Sequence, residues 1–346
     1  MFMKSLIYGY GKTGKSFARF LESKKHKFDI YDDNLPKYSK KIDLQKYNQI
    51  LCSPGVPKNI FEKIRNINKN VLTDVDIFFQ EDTSIKIGIT GTNRKSTTAF
   101  HLYQLFEKFE PANLIGNIGN PMLDCINTKK YSIIELSSFQ LDKMITNKLD
   151  FGIFLNIQTD HLDYHGSFES YKIAKERILD AKKSISFEDN PYDLFEWITG
   201  QKSSEINLKN LPYRLQHISK NIINDSKSTN YHSLYYAVKR ANEIFLNNGY
   251  VLIVCGSPKK EEFRKINIKG PDQIYIFGKH AKEINKCIKN NNKKVFIELS
   301  DVVNHLNKHN QKNILFSPGY PSGDDFSNFE ERGVAFNKII GNLNEN

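Results

Sequence analysis

The chain has 346 residues, 39% hydrophobic and 26% charged, with 50 Lys and Arg against 39 Asp and Glu. That length asks for two or three domains, and the net charge of +11 is a scatter of lysines over solvated faces, not a basic block, which argues against nucleic acid as a partner. Four distant cysteines without a CxxC exclude a disulfide framework, and neither a signal-peptide core nor an apolar run near the ~20 residues of a membrane span is present, so a cytoplasmic protein without membrane insertion is expected.

Short apolar runs alternate with helical patterns from end to end, which predicts α/β units with mainly parallel sheets. "SLIYG" (5–9) reads as a strand, 14–25 as a helix, "KFDIYDD" (27–33) as a second strand and "QILCSPGVP" (49–57) as a third that ends in a Pro/Gly turn. The polar "QEDTS" (80–84) marks a boundary. A second unit opens on the strand "IKIGIT" (85–90), followed by a helix to about 109, strands at 131–136 and 151–157, and a helix over 168–183. Residues 184–210 are weakly patterned. A third unit begins near "LPYRLQ" (211–216), with strands at 250–256, 273–278, 293–298 and 313–319. The expected domains are therefore 1–82, 83–208 and 209–346.

Two loops in this frame suit phosphate. "GITGTNRKSTT" (88–98) lies between a buried strand and a helix, where backbone N–H groups and the positive helix end make an anion cradle. Gly91, Thr92 and Asn93 form the turn, Lys95 supplies the cation and Ser96 a hydroxyl for Mg²⁺. The match to the general phosphate-loop pattern is partial, because Ile89 stands at its first glycine. "GYGKTG" (9–14) satisfies G-x-G-x-x-G, with Asp32 and Asp33 ending the next strand. NAD, FAD and a nucleotide sugar all fit that spacing. Two such loops plus a third α/β unit point to group transfer that uses ATP, since a dehydrogenase has no need of the Lys-Ser loop.

"IIELSSFQLD" (133–142), "NIQTDHLDYHGSFESYKIAKERI" (156–178), "NDSKSTN" (224–230) and "LFSPGYPSGDDFSNFEERG" (315–333) resemble, in order, signatures of the Mur ligases, as do "SPGVP" (53–57) and "GNIGNP" (116–121). The resemblance implies a three-domain architecture in which each domain has a mainly parallel sheet with flanking helices. It implies a monomeric enzyme of peptidoglycan precursor synthesis, which uses ATP and Mg²⁺ to join D-glutamate to UDP-MurNAc-L-alanine through an acyl phosphate.

Site residues carry over position by position. Lys95, Glu135, His161, Lys175 and Lys227 match catalytic positions; Ser96, Glu135, His161 and a carbamylated Lys175 match metal ligands. Gly91, Thr92, Asn93, Arg94, Lys95, Ser96, Thr97, Arg214 and Asp225 match the ATP site. Gly11, Lys12, Thr13, Asp32, Ser53, Pro54, Gly55 and Asn117 match the UDP-sugar site. Lys227, Thr229, Lys259, Ser322 and Phe329 match the D-glutamate site, although "CGSPK" replaces the usual Gly-Gly-Asp-x-Lys around Lys259.

The chain departs from the family in two places. Arg94 replaces the last glycine of T-G-T-N-G-K-[ST]-[ST], and an adenine-side helix with an Asn-containing, Ala-rich motif is absent from residues 176–213, an abbreviated stretch in which Tyr213 also replaces a usual histidine. If position 94 needs a positive φ, a non-glycine there costs on the order of 1 kcal/mol or more. The alternatives to an active D-glutamate ligase are a catalytically weak Mur-like protein that binds UDP-sugar, and a ligase for a different amino acid.

Overall fold

A computed structural model describes residues 4–258 and 265–341. The chain divides into two compact units, Met1–Lys209 and Asn210–Asn346. The first unit holds two parallel sheets. One is built from β1 (Lys4–Tyr8), β2 (Lys27–Tyr31), β3 (Gln49–Cys52) and β4 (Val71–Leu72) in the order β2-β1-β3-β4, with helices α1 (Lys12–Ser23), α2 (Lys58–Ile67) and α3 (Asp74–Glu81). Its order reverses at β1, so the loop after β1 opens at a topological switch point, where ligands of such sheets collect.

The other sheet contains β5 (Ile85–Thr90), β6 (Ala112–Gly116), β7 (Tyr131–Glu135), β8 (Phe151–Phe154) and β9 (Lys183–Ser186) in the order β6-β7-β5-β8-β9. Around it lie α4 (Lys95–Phe109), α5 (Ser138–Lys143), α6 (Leu162–His165), α7 (Phe168–Glu176) and α8 (Pro191–Thr199). β7, β5 and β8 are neighbours, so the loops leaving their carboxyl ends emerge side by side. The two sheets of this unit share one continuous core: Ile7, Phe17, Leu21 and Phe78 pack in the same cluster as Ile115, Ile134, Leu141 and Phe154. On the opposite face, Ile87, Ile89, Leu102, Phe106 and Phe195 form a second cluster.

The second unit has one six-stranded sheet among the described residues, β10-β11-β15-β12-β13-β14, parallel except where β10 (Gln216–Ser219) meets β11 (Ile222–Asn224). Its further strands are β12 (Val251–Cys255), β13 (Gln273–Phe277), β14 (Lys293–Val295) and β15 (Ile314–Gly319). The helices are α9 (Tyr231–Phe245), α10 (Ala281–Cys287), α11 (Leu299–Lys308) and α12 (Phe329–Gly341). The α/β class expected from the alternating pattern is thus observed. No helix among the described residues is long and apolar enough to cross a membrane.

Two local expectations need correction. The helix expected over 168–183 ends at Glu176, gives one 3-10 turn at Arg177–Asp180 and then becomes β9. Arg177 donates to the carbonyls of Leu141, Asp142 and Met144, and Lys183 pairs in register with Phe151, so tertiary contacts outweigh the helical spacing. Residues 184–210, weakly patterned in sequence, hold α8, capped by Asn190, opened by Pro191 and closed by Gly200 in the left-handed conformation.

Candidate active site

The loop of residues 91–94 leaves β5 and is fastened to the segment leaving β8. Thr92 N–H donates to the Asn156 carbonyl at 3.1 Å, and Asn93 N–H to Asn156 Oδ1 at 2.9 Å. Asn156 Nδ2 returns a bond to the Asn93 carbonyl, and Asn93 Nδ2 reaches Gln158 Oε1. A Cβ on Gly91 would lie 3.1 Å from Leu155 Cβ, so glycine lets these two segments approach. Lys95 Nζ folds back onto the Thr92 carbonyl at 3.0 Å. Ser96, buried, and Thr97, half-buried, begin the first turn of α4.

Arg94, the N-cap of α4, has φ +66° and ψ −1°. This is the region that favours glycine, and arginine there carries roughly 1 kcal/mol of strain. Its guanidinium is ion-paired with Asp189, in the turn before α8.

Glu135 ends β7 and is buried. Its Oε1 accepts from Asn117 Nδ2 at 3.0 Å, while Oε2 finds no hydrogen-bond partner among the described residues. A buried, unpartnered carboxylate oxygen is costly unless a cation comes to it. The "SSFQ" motif that follows is a capping box for α5, with Ser137 and Gln140 bonding reciprocally. At the end of that helix, buried Lys143 donates to the carbonyls of Pro54 and Val56 and so ties α5 to the "SPGVP" turn.

Lys175 on α7 is 1% exposed. Its Nζ donates to the Gly91 carbonyl at 2.7 Å and Thr90 Oγ1 at 3.3 Å. Burial, and secondly the charge of Lys95, push its pKa well below the usual lysine range, while Asp160 and Glu135 pull the other way. Lys95, Glu135 and Asp160 are therefore each within electrostatic reach of Lys175. His161 has φ +52°, half exposed, with its backbone N–H on Asp160 Oδ1 and its ring 4.9 Å from that of Phe139. Among the described residues no three His, Cys, Asp or Glu side chains form a ready-made metal cluster.

The glycine-rich loop after β1 is braced by the residues expected at a sugar-nucleotide site. Asp32 Oδ2 accepts from Tyr10 N–H at 2.6 Å, and Ser53 Oγ donates to the Gly9 carbonyl at 2.7 Å. A Cβ on Gly14 would sit 2.1 Å from the Gly9 carbonyl oxygen, which explains the glycine there. Gly11 caps α1, and Lys12 Nζ reaches the Gly119 carbonyl at 2.7 Å, toward the loop of Asn117. Thr13 is half-buried in the first turn of α1, and Pro54 and Gly55 form the turn held by Lys143.

In the second unit, the loops after the parallel neighbours β11 and β15, with the turn before β10 that carries Arg214, hold the remaining candidates. Lys227 Nζ lies 4.0 Å from the centre of the Phe329 ring, and Arg214 Cζ 5.9 Å. Asp225 is buried, accepting from Leu215 N–H and Ser317 Oγ, each at 3.0 Å, and burial raises its pKa to about 7. Both its oxygens are thus occupied, Oδ1 in holding the turn that carries Arg214 and Oδ2 in tying it to Ser317 of β15. Ser322 is buried and Thr229 half-buried, whereas Lys259 lies outside the described residues.

Sequence reasoning missed Asn156, Gln158, Asp160, Lys143 and Asp189. Three of these lie inside or beside the "NIQTDHLD" stretch, so the motif itself held the signal; Asp189 lies 95 residues from its partner and gave none.

Residues 89–247 match the family model of the Mur ligase middle domain. Over nearly its whole length the chain is similar to the UDP-N-acetylmuramoylalanine–D-glutamate ligase of Francisella tularensis subsp. tularensis strain SCHU S4, with 30% identity over 420 aligned residues covering 99% of this chain and 97% of the relative. The same-named enzyme of subsp. novicida strain U112 is 29% identical over 421, with the same coverage. The alignments are longer than this chain, so the surplus consists of positions it lacks. Among solved structures, UDP-N-acetylmuramate–alanine ligase of Thermotoga maritima shares the fold, with TM-score 0.59, 11% identity, and 99% and 100% of the two chains covered. MurF ligase of the same organism, solved with ADP, gives 0.58, 14%, and 99% and 96%.

Proposed function

The chain belongs to the Mur ligase family, and from that membership we propose that it is the D-glutamate-adding ligase of peptidoglycan precursor synthesis, a cytoplasmic monomer that consumes ATP. Its substrates are UDP-MurNAc-L-alanine and D-glutamate. In the reaction a carboxylate oxygen of the L-alanine attacks the γ-phosphorus of ATP and ADP departs. The D-glutamate nitrogen then attacks the acyl carbon, loses a proton and displaces inorganic phosphate, leaving an amide.

Crowding anions demands positive charge. The loop amides of 91–94 and Lys95 would receive the ATP phosphates. Ser96, Glu135 and His161 would hold Mg²⁺, and the unpartnered oxygen of Glu135 fits that task; the ion supplies charge neutralisation to the phosphoryl oxygens. These donors include one carboxylate, and Lys175 offers a second. A neutral amine that adds to CO₂ and loses a proton becomes a carbamate, an anionic oxygen ligand. Asp32, Ser53, Asn117 and the loop at 9–14 suit the UDP-sugar, and Lys227, Thr229, Ser322 and Phe329 the D-glutamate.

The observation that carries this reading is Lys175, whose buried amine, depressed in pKa, touches the first residue of the phosphate loop. Purified protein with UDP-MurNAc-L-alanine, ATP, Mg²⁺ and D-glutamate should release phosphate and yield a product heavier by one glutamyl residue. Omission of either acceptor or donor should stop both. Phosphate release that ignores the substrates, or L-glutamate serving equally well, would sink the assignment.

A further inference from the structure

A left-handed residue at the mouth of a phosphate loop is ordinarily a glycine's task. Arg94 performs it here, with φ +66°, and its carbonyl accepts the Thr98 N–H at 2.9 Å as the first turn of α4 begins. Glycine takes that conformation unaided; arginine resists it, because its Cβ crowds the neighbouring peptide. A contact from outside the loop would offset that strain.

Asp189 is placed to do so. Its Oδ2 pairs with the Arg94 guanidinium, and the turn that carries it is fixed on several sides. Glu188 Oε1 accepts from the backbone N–H groups of Asp189 and Asn190 at 2.8 and 2.7 Å. Asn190 then caps α8, accepting from Tyr192 N–H at 3.0 Å. α8 itself sits on α4, with the Phe195 ring 5.1 Å from that of Phe106 and 5.5 Å from that of Phe109. On the other side of the turn, β9 is locked to β8 in register. The helix that carries the loop and the helix that carries its tether are thus packed on each other.

We propose that Asp189 is a positioning residue for the phosphate loop: it holds Arg94 in the left-handed conformation that glycine would adopt freely, and α8 is the element that delivers it. The abbreviated stretch after Lys175 thereby supports the nucleotide site through the loop's backbone. The proposal rests on the reading of 91–96 as a nucleotide phosphate loop.

Wild type, D189N, R94G and the R94G/D189N double variant decide it. Two quantities are measured: Mg²⁺·ADP affinity by calorimetry, and amide hydrogen exchange of residues 91–95 without nucleotide. D189N should weaken ADP binding roughly fivefold, the scale of a partly exposed pair that restrains one strained residue, and speed the exchange. R94G should bind as tightly as wild type or tighter, and D189N added to it should change nothing further. The proposal is overturned if D189N is silent in the arginine background, or if it weakens both backgrounds equally. It also falls if R94G alone loses fivefold or more, since Arg94 would then be a phosphate ligand. Trp197, the one tryptophan of the chain, lies in α8 against Phe151 and reports its docking. Its emission should not shift in D189N, and a shift would mean that the helix, not the tether, had been lost. If wild type fails to bind ADP, the phosphate-loop reading falls by itself, and the nucleotide-free exchange still decides whether Asp189 holds the loop.

Discussion

Lys175 Nζ donates a 2.7 Å hydrogen bond to the Gly91 carbonyl, so the residue proposed to carry a carbamate also braces the phosphate loop from beneath. Lys175→Met keeps the apolar stem and removes the nitrogen. Ligase activity should fall at least about 100-fold, the scale for losing a ligand in a charge-crowded site. The folded pKa lies below the unfolded one, so the unfolded chain binds a proton that the folded chain refuses. Stability of the wild type should therefore rise with pH through that window, and the methionine variant should lack the rise in urea titrations. In wild type, ¹³C-bicarbonate should give a carbamate resonance that K175M lacks; a resonance persisting in K175M would place the carbamate elsewhere.

Lys143 joins two candidate regions, since its Nζ serves carbonyls of the 53–57 turn from the last residue of α5. Burial lowers its pKa, and Lys143→Met strands two carbonyl oxygens. A loss of about 1–2 kcal/mol in unfolding free energy is expected. KM for the UDP-sugar should rise while KM for ATP stays put. Equal change in both would show general damage instead of a displaced turn.

Asn117 fixes one oxygen of Glu135 and leaves the other free of hydrogen bonds among the described residues. Asn117→Ala should raise the Mg²⁺ concentration for half-maximal activity about tenfold, as the removal of a residue that orients a metal ligand does. An unchanged Mg²⁺ requirement would show that Asn117 does not orient a metal ligand.

The two units should respond to acid in opposite directions. His165 is buried against Ser138 at 3.0 Å, its Nδ1 without a partner among the described residues, and burial lowers its pKa from 6.5 to about 4. The unfolded chain takes up a proton at 6.5 that the folded chain refuses until about 4, so acidification across that window destabilises the first unit, on the order of 3 kcal/mol. Asp225 behaves conversely: its folded pKa of about 7 exceeds the unfolded 3.8, and acidification between them stabilises the second unit. Hydrogen exchange at pH 7 and 5 should show protection falling in one unit and rising in the other. His165→Gln should abolish the first unit's loss and leave the opposite contribution of buried Asp74, whose pKa is raised to about 6, while Asp225→Asn should flatten the second unit's response.

Much of this was legible in the sequence because parallel α/β sheets announce themselves. Strands 85–90 and 131–135 are short, buried and isoleucine-rich, though Lys86, Thr90, Ser132 and Glu135 interrupt them, and the loops that follow them carry the polar chemistry. What escaped was set by tertiary contact. β6 holds Asn113, which bonds the Cys125 carbonyl and Ser132, and so lacks a strand's apolar signature. β9 is a short edge strand chosen by its pairing with Phe151–Phe154. α8 did carry readable punctuation in Asn190, Pro191 and Gly200, obscured by its isolation among polar residues. The left-handed backbone of Arg94 and the distant carboxylate that matches it leave no periodic trace at all.

The shared core of the first unit has a consequence for synthesis. Ile7 and Phe17 near the start of the chain pack in one cluster with Phe154 and Ile178. A nascent chain that has emitted only the first sheet exposes the apolar face meant for residues still untranslated. At ribosomal rates of about 5–20 residues per second, that exposure lasts on the order of ten seconds or more. The early sheet must wait, open to chaperones and to mispairing, until the second sheet arrives to cover it; the later unit, with clusters drawn from its own strands and helices, has no such wait.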